Sequence, residues 1–120
     1  MKIERFEDIE AWKMARELTQ RIYSLTQNGN FAKDFGLKNQ ITRAAVSIMA
    51  NRAEGFDSQT DLVFIRYLFN AKGSASEVQS HLYVALDFGY ITDKEFQKCY
   101  DFCDSAKNLI GGFIKYLSKE

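Results

Sequence analysis

Apolar residues recur along this chain at intervals of three and four, the spacing that lays side chains on one face of an α-helix. Ile9, Trp12, Ala15, Leu18, Ile22 and Leu25 form the first stripe and predict a helix from about residue 8 to 27, stopped by Asn28-Gly29-Asn30. Residues 31 to 35 read as a short connection. Asp34 or Gly36 opens a second helix on the stripe Leu37, Ile41, Ala44, Ala45 and Ile48, which runs to about Glu54 with Gly55 as a left-handed cap. Residues 57 to 60 make a turn, where Ser58 or Thr60 offers a hydroxyl oxygen to the free N–H groups of a third helix over about residues 60 to 87. Gly89 ends that helix. Thr92-Asp93-Lys94-Glu95 then has the form of a capping box, in which Thr92 and Glu95 satisfy each other's backbone donors. A fourth helix follows on Phe96, Cys99, Cys103, Ala106, Ile110, Phe113 and Leu117.

Amphipathic helices joined by short loops predict an all-α fold, an antiparallel up-down-up-down four-helix bundle, with residues 1–120 as one domain. The chain has no proline, which agrees with long unbroken helices. The third helix starts with more apolar surface than one core consumes. Leu62, Val63, Phe64, Ile65, Tyr67, Leu68 and Phe69 leave only Arg66 as a charge, which predicts burial of part of this surface by another subunit. Tyr100, Phe102 and Tyr116, off the main stripe of the fourth helix, point the same way.

A polar series runs beside the apolar stripe of the second helix. Gln40, Arg43, Ser47, Asn51 and Glu54 step by three or four and stack along one face, as a ligand groove or as internal glue that fixes helix register. Glue is the reading adopted: Arg43, Ser47, Asn51 and Glu54, with Ser74 and Glu77 on the third helix, form an inter-helix polar core, since buried polar groups are normally satisfied by one another. Small residues support a close approach: Ala44, Ala45 and Ala50 on one helix; Ala71, Gly73, Ser74 and Ala75 on the other. A glycine inside a helix costs about 1 kcal/mol against alanine, so Gly73 is expected at a contact that needs its missing side chain.

Charge narrows the choice of partner. Sixteen basic residues balance sixteen acidic ones, which excludes a whole-molecule attraction to nucleic acid and leaves only a local patch. Residues 31 to 56 hold Lys33, Lys38, Arg43 and Arg52 against Asp34 and Glu54; residues 57 to 90 hold Arg66 and Lys72 against Asp57, Asp61, Glu77 and Asp87. This asymmetry either draws neighbouring subunits together or displays several copies of a weak basic patch to a polyanion, with Lys33, Lys38 and Arg52 as the contacts.

Catalytic chemistry finds little support. Glu77 and His81 share a helix face, but a carboxylate-bridged metal bundle needs two Glu-x-x-His motifs and two further glutamates, and the chain has one histidine. Cys99 and Cys103 lie on an apolar stripe and read as small core residues rather than half of a zinc site. No enzyme activity, cofactor or metal is expected. The N-terminus lacks the apolar core of a signal peptide and no run approaches a membrane span, so the expected location is the cytoplasm.

The stretch from Phe6-Glu7-Asp8-Ile9-Glu10-Ala11-Trp12 to Ala15, then Tyr23, Gly36-Leu37 through Phe56, Lys72-Gly73-Ser74 through Glu77, and Leu86-Asp87-Phe88-Gly89-Tyr90-Ile91 together resemble the 23S rRNA intervening-sequence protein family. That resemblance implies small bacterial bundles assembled into homopentameric rings. Similar accessory proteins of diversity-generating retroelements bind nucleic acid and a reverse transcriptase; they are markedly basic, whereas this chain is neutral. Arg52 also stands where the family usually carries an apolar residue. The implied role is a non-enzymatic oligomeric scaffold for protein interaction, with an RNA-binding ring as the alternative.

Overall fold

The computed structural model describes residues 5, 6 and 9 to 118. Among them the chain forms α1 (Glu10–Leu25), α2 (Gly29–Lys33), α3 (Phe35–Phe56), α4 (Asp61–Asp87) and α5 (Asp93–Ser118), with no strand. The four long helices make an antiparallel up-down-up-down bundle: α3 packs against α1 and α4, and α5 closes the ring of contacts against α4 and α1. The body measures 48 × 21 × 19 Å. One end carries the α3–α4 turn and the last turns of α5. The other carries α2, the start of α3 and the α4–α5 turn.

Local chemistry explains most boundaries. Thr60 caps α4 by accepting from the Val63 N–H at 3.2 Å. Thr92 and Glu95 complete the expected capping box at 2.9 and 3.0 Å. After α4, Gly89 takes φ +74°, and the N–H groups of Gly89 and Tyr90 bond the carbonyls of Leu86 and Ala85, the paired closure of a Schellman motif. The first helix is shorter than its stripe suggests, ending at Leu25; its expected start near residue 8 falls outside the described residues. The connection expected at residues 31 to 35 is partly helical, because α2 folds Phe31 into the core at 1% exposure. Asp34, not Gly36, opens α3, its carboxylate accepting from the Leu37 N–H at 3.1 Å.

Two glycines differ from the sequence reading. Gly55 is no left-handed cap but an ordinary helical residue one position before the end of α3. Its role is space: a Cβ there would lie 2.8 Å from Phe64 Cδ1 and 2.9 Å from Tyr67 Cβ, closer than carbon atoms tolerate. A Cβ at Gly73 would meet nothing within 4 Å, so no contact among the described residues requires its missing side chain.

The core interleaves large and small side chains. Leu18, Ile22, Ile41, Ile48, Leu68, Leu82 and Ile110 are shut off from solvent, each burial contributing roughly 1.5 to 3 kcal/mol. Ala15, Ala45, Ala71, Ala75 and Ala106, all at 0% exposure, let the helix backbones approach. Cys99 and Cys103 belong to this core as free thiols. Burial pushes both thiols up, Cys103 to about 12, so neither is a nucleophile at neutral pH.

Candidate functional site

The polar seam between α3 and α4 is real but shorter than the ladder. Asn51 donates its amide to the Ser47 carbonyl and the Ser47 hydroxyl, both at 2.9 Å, and Ser74 Oγ bonds Ser47 Oγ at 3.0 Å across the interface. These three half-buried residues hold the two helices in register. Arg43, Glu54 and Glu77 are not part of it: all three are exposed. Their positions on α3 and α4 turn them past the interface, where water solvates their charges at no desolvation cost. Glu77 instead meets His81 Nε2 at 3.3 Å along its own helix.

The expected basic patch divides. Lys33 is exposed and Lys38 half-buried at the α2 end of the bundle, whereas Arg52 lies about four turns beyond Lys38 along α3 and is fully buried at 0% exposure. Arg52 is therefore no surface contact for a polyanion. It continues the apolar stripe four residues after Ile48, which is why its side chain points inward. Its Nε, Nη1 and Nη2 are buried with no hydrogen-bond partner among the described residues, and the guanidinium lies 5.9 Å from the Phe113 ring centroid. Burial lowers its pKa from 12.5 to about 10, still well above neutrality, so the chain holds an uncompensated cation in its interior.

Two surfaces expose large apolar side chains. On α4, Leu62, Arg66, Phe69, Gly73, Ser76 and Ser80 are all exposed and fall four, three, four, three and four residues apart, a coiled-coil-like seam in which Arg66 is the one charge. Leu62 is 70% exposed and Phe69 55%. Tyr116 on α5 is 70% exposed, but Tyr100 and Phe102 are occupied within the chain: Tyr100 packs on Phe96 and Tyr83, and Phe102 lies 5.0 Å beneath the Arg21 guanidinium. At the α2 end, Asn30, Lys33, Phe35, Gly36, Phe88 and Tyr90, with Asp34, line an open groove of about 750 Å³.

The architecture and these surfaces can be set against known proteins. A family model described as 23S rRNA-intervening sequence protein matches residues 7–112. The chain belongs to that family. The crystal structure of a protein of unknown function from the S23 ribosomal protein family of Bacteroides thetaiotaomicron superposes with a TM-score of 0.80 and 27% identity, covering 88% of this chain and 98% of that one. A comparison with the curated proteins gives no match. As a member of the 23S rRNA-intervening sequence proteins, the chain takes the bundle its stripes predict, and no helix among the described residues is long and apolar enough to cross a membrane.

Some residues of this family member escaped the sequence reading. Gln79, only 6% exposed, donates to Asp104 Oδ1 at 2.8 Å and the Tyr100 carbonyl at 3.3 Å, while Lys107 Nζ donates to its Oε1 at 3.0 Å. Its place four residues after Ala75, on the buried side of α4, was the available signal. Phe88 and Tyr90 come from the α4–α5 turn and Phe35 from the start of α3, more than fifty residues earlier, and nothing in the sequence spacing brings Phe35 to the other two.

Proposed function

We propose that this protein is a non-enzymatic, self-associating helical scaffold, built as a homopentameric ring that presents a repeated surface to a protein partner. The observation that carries the reading is the outward seam of α4. A helix wetted on that side has no use for Leu62 and Phe69, and Gly73, open in the single chain, leaves room for a second helix backbone. Tyr116 adds exposed aromatic surface at the same end of the bundle. The burial of Arg52 weakens the alternative of a basic ring, because it removes one of three candidate phosphate contacts. The expected location is the cytoplasm.

Light scattering at micromolar concentration tests the scaffold. The wild type should have the mass of a closed ring, and Phe69→Glu, which sets a charge in the seam without touching the core, should reduce it to the protomer with an unchanged helical circular-dichroism spectrum. A wild-type monomer, or a variant that keeps the wild-type mass, overturns the reading.

A further inference from the structure

The groove at the α2 end has a construction that the scaffold reading does not use. Its rings form a graded stack. Phe31 is buried; Tyr90 lies on it with centroids 5.3 Å apart and planes 28° apart; Phe88 follows Tyr90 at 6.3 Å and 31°. Phe88 is 72% exposed, and Phe35, on the groove's other side, is 69% exposed. The series therefore runs from the core to solvent, stacked between Phe31 and Tyr90 and tilted between Tyr90 and Phe88, and ends at an exposed ring.

The platform is held rigidly. Tyr90 donates its hydroxyl to Asp34 Oδ2 at 2.9 Å, and the other Asp34 oxygen caps α3 through the Leu37 N–H. The same hydrogen bond to Asp34 raises the Tyr90 pKa, so the ring keeps its proton and its anchor at neutral pH. Lys33 lines the groove and Lys38 lies one turn into α3; neither makes an ion pair among the described residues. The acidic group lining the groove is Asp34, whose charge is set against the positive end of α3.

We propose that this groove binds single-stranded nucleic acid, with unpaired bases stacking on Phe88 and Phe35 and with Lys33 and Lys38 at the adjoining phosphates. Flat π faces are what a stacking platform offers, and every base supplies one. Within the groove lining Lys33 is balanced by Asp34, so the bases carry most of the affinity and the salt dependence is shallow. A duplex, whose base faces are already stacked, does not satisfy the groove. This site is separate from the α4 seam and stands or falls independently of the scaffold.

The test uses short oligoribonucleotides and oligodeoxyribonucleotides of mixed sequence carrying 2-aminopurine, whose fluorescence falls when the base stacks, presented single-stranded and as duplexes. Wild-type protein should quench and bind the single strands and not the duplexes. Phe88→Ala, at an exposed position, should melt like wild type yet bind about tenfold or more weakly and lose the quenching. Lys33→Ala with Lys38→Ala should lower the slope of log affinity against log salt by about 1.4, from two single-strand phosphate contacts. Absent binding at low salt, equal binding of duplexes, or wild-type affinity in Phe88→Ala overturns the proposal. A change of oligomeric mass in Phe35→Ser without strand binding overturns it in favour of a contact between copies. The Phe69→Glu variant, altered on the far face of α4, should leave stacking intact, so the two proposals fail separately.

Discussion

Arg52→Met should make the folded chain more stable. The guanidinium is charged at neutral pH, has no hydrogen-bond partner among the described residues on any of its three nitrogens and is sealed from solvent. Its pKa falls from 12.5 to about 10, and at about 1.4 kcal/mol per unit the charged form is destabilised on folding by roughly 3 kcal/mol. The Phe113 ring at 5.9 Å returns part of that, on the order of 1 to 2 kcal/mol for a desolvated cation over an aromatic face. Methionine keeps the long apolar stem and removes the charge, so the net gain should be about 1 to 2 kcal/mol. The sign with pH follows from a base whose folded pKa is lowered: below about pH 10 both folded and unfolded chains are protonated, and the penalty is fully present. The gain should therefore be flat between roughly pH 6 and 9. Urea denaturation of both proteins across that range reads it from the midpoints, provided the slopes agree. A Met variant less stable than wild type by about 1 kcal/mol, or a gain that varies with pH, would refute the reasoning by revealing an anionic partner for Arg52 in the assembled protein.

Three further outcomes follow from the packing. Gly55→Ala should cost about 1 to 3 kcal/mol in the same denaturation assay, since its Cβ collides with Tyr67 Cβ, an atom that moves only with the α4 backbone. Glu54→Ala should shift stability by no more than about 0.5 kcal/mol, because Glu54 is exposed; a loss above 1 kcal/mol would return it to the polar core. Cys99 and Cys103 should resist an aromatic disulfide reagent at pH 8 in the native protein and react fully once unfolded; rapid native labelling of Cys103 would contradict its burial and its raised pKa.

The bundle was legible because periodicity and end chemistry agree along the chain. Thr60, Thr92 with Glu95, and Gly89 mark boundaries through bonds that involve only near neighbours, so sequence contains them. Contacts that depend on how far a side chain turns from a helix axis were less legible. Ser47, Asn51 and Ser74 meet, whereas Arg43 and Glu54 on the same polar series do not, because the series drifts around α3 and only its middle faces α4. Arg52 carried a stripe position and a charge, and the stripe decided its direction. The aromatic groove was invisible for another reason: Phe35 and Phe88 are brought together only when the α4–α5 turn packs beside the start of α3.

The bonds of Gln79 have a consequence for alignment. Apolar contacts between two helices degrade gradually as one slides past the other, and alternative alignments one turn apart cost little when the stripes repeat. The Gln79 amide, satisfied at once by Asp104, Lys107 and the Tyr100 carbonyl, has no such tolerance. A slip of one turn moves α5 by about 5.4 Å, beyond the reach of every one of these bonds, and strands a buried amide. The residue thus works as a notch between α4 and α5, fixing the axial offset of the last helix and, with it, the height at which Tyr116 stands at the end of the molecule.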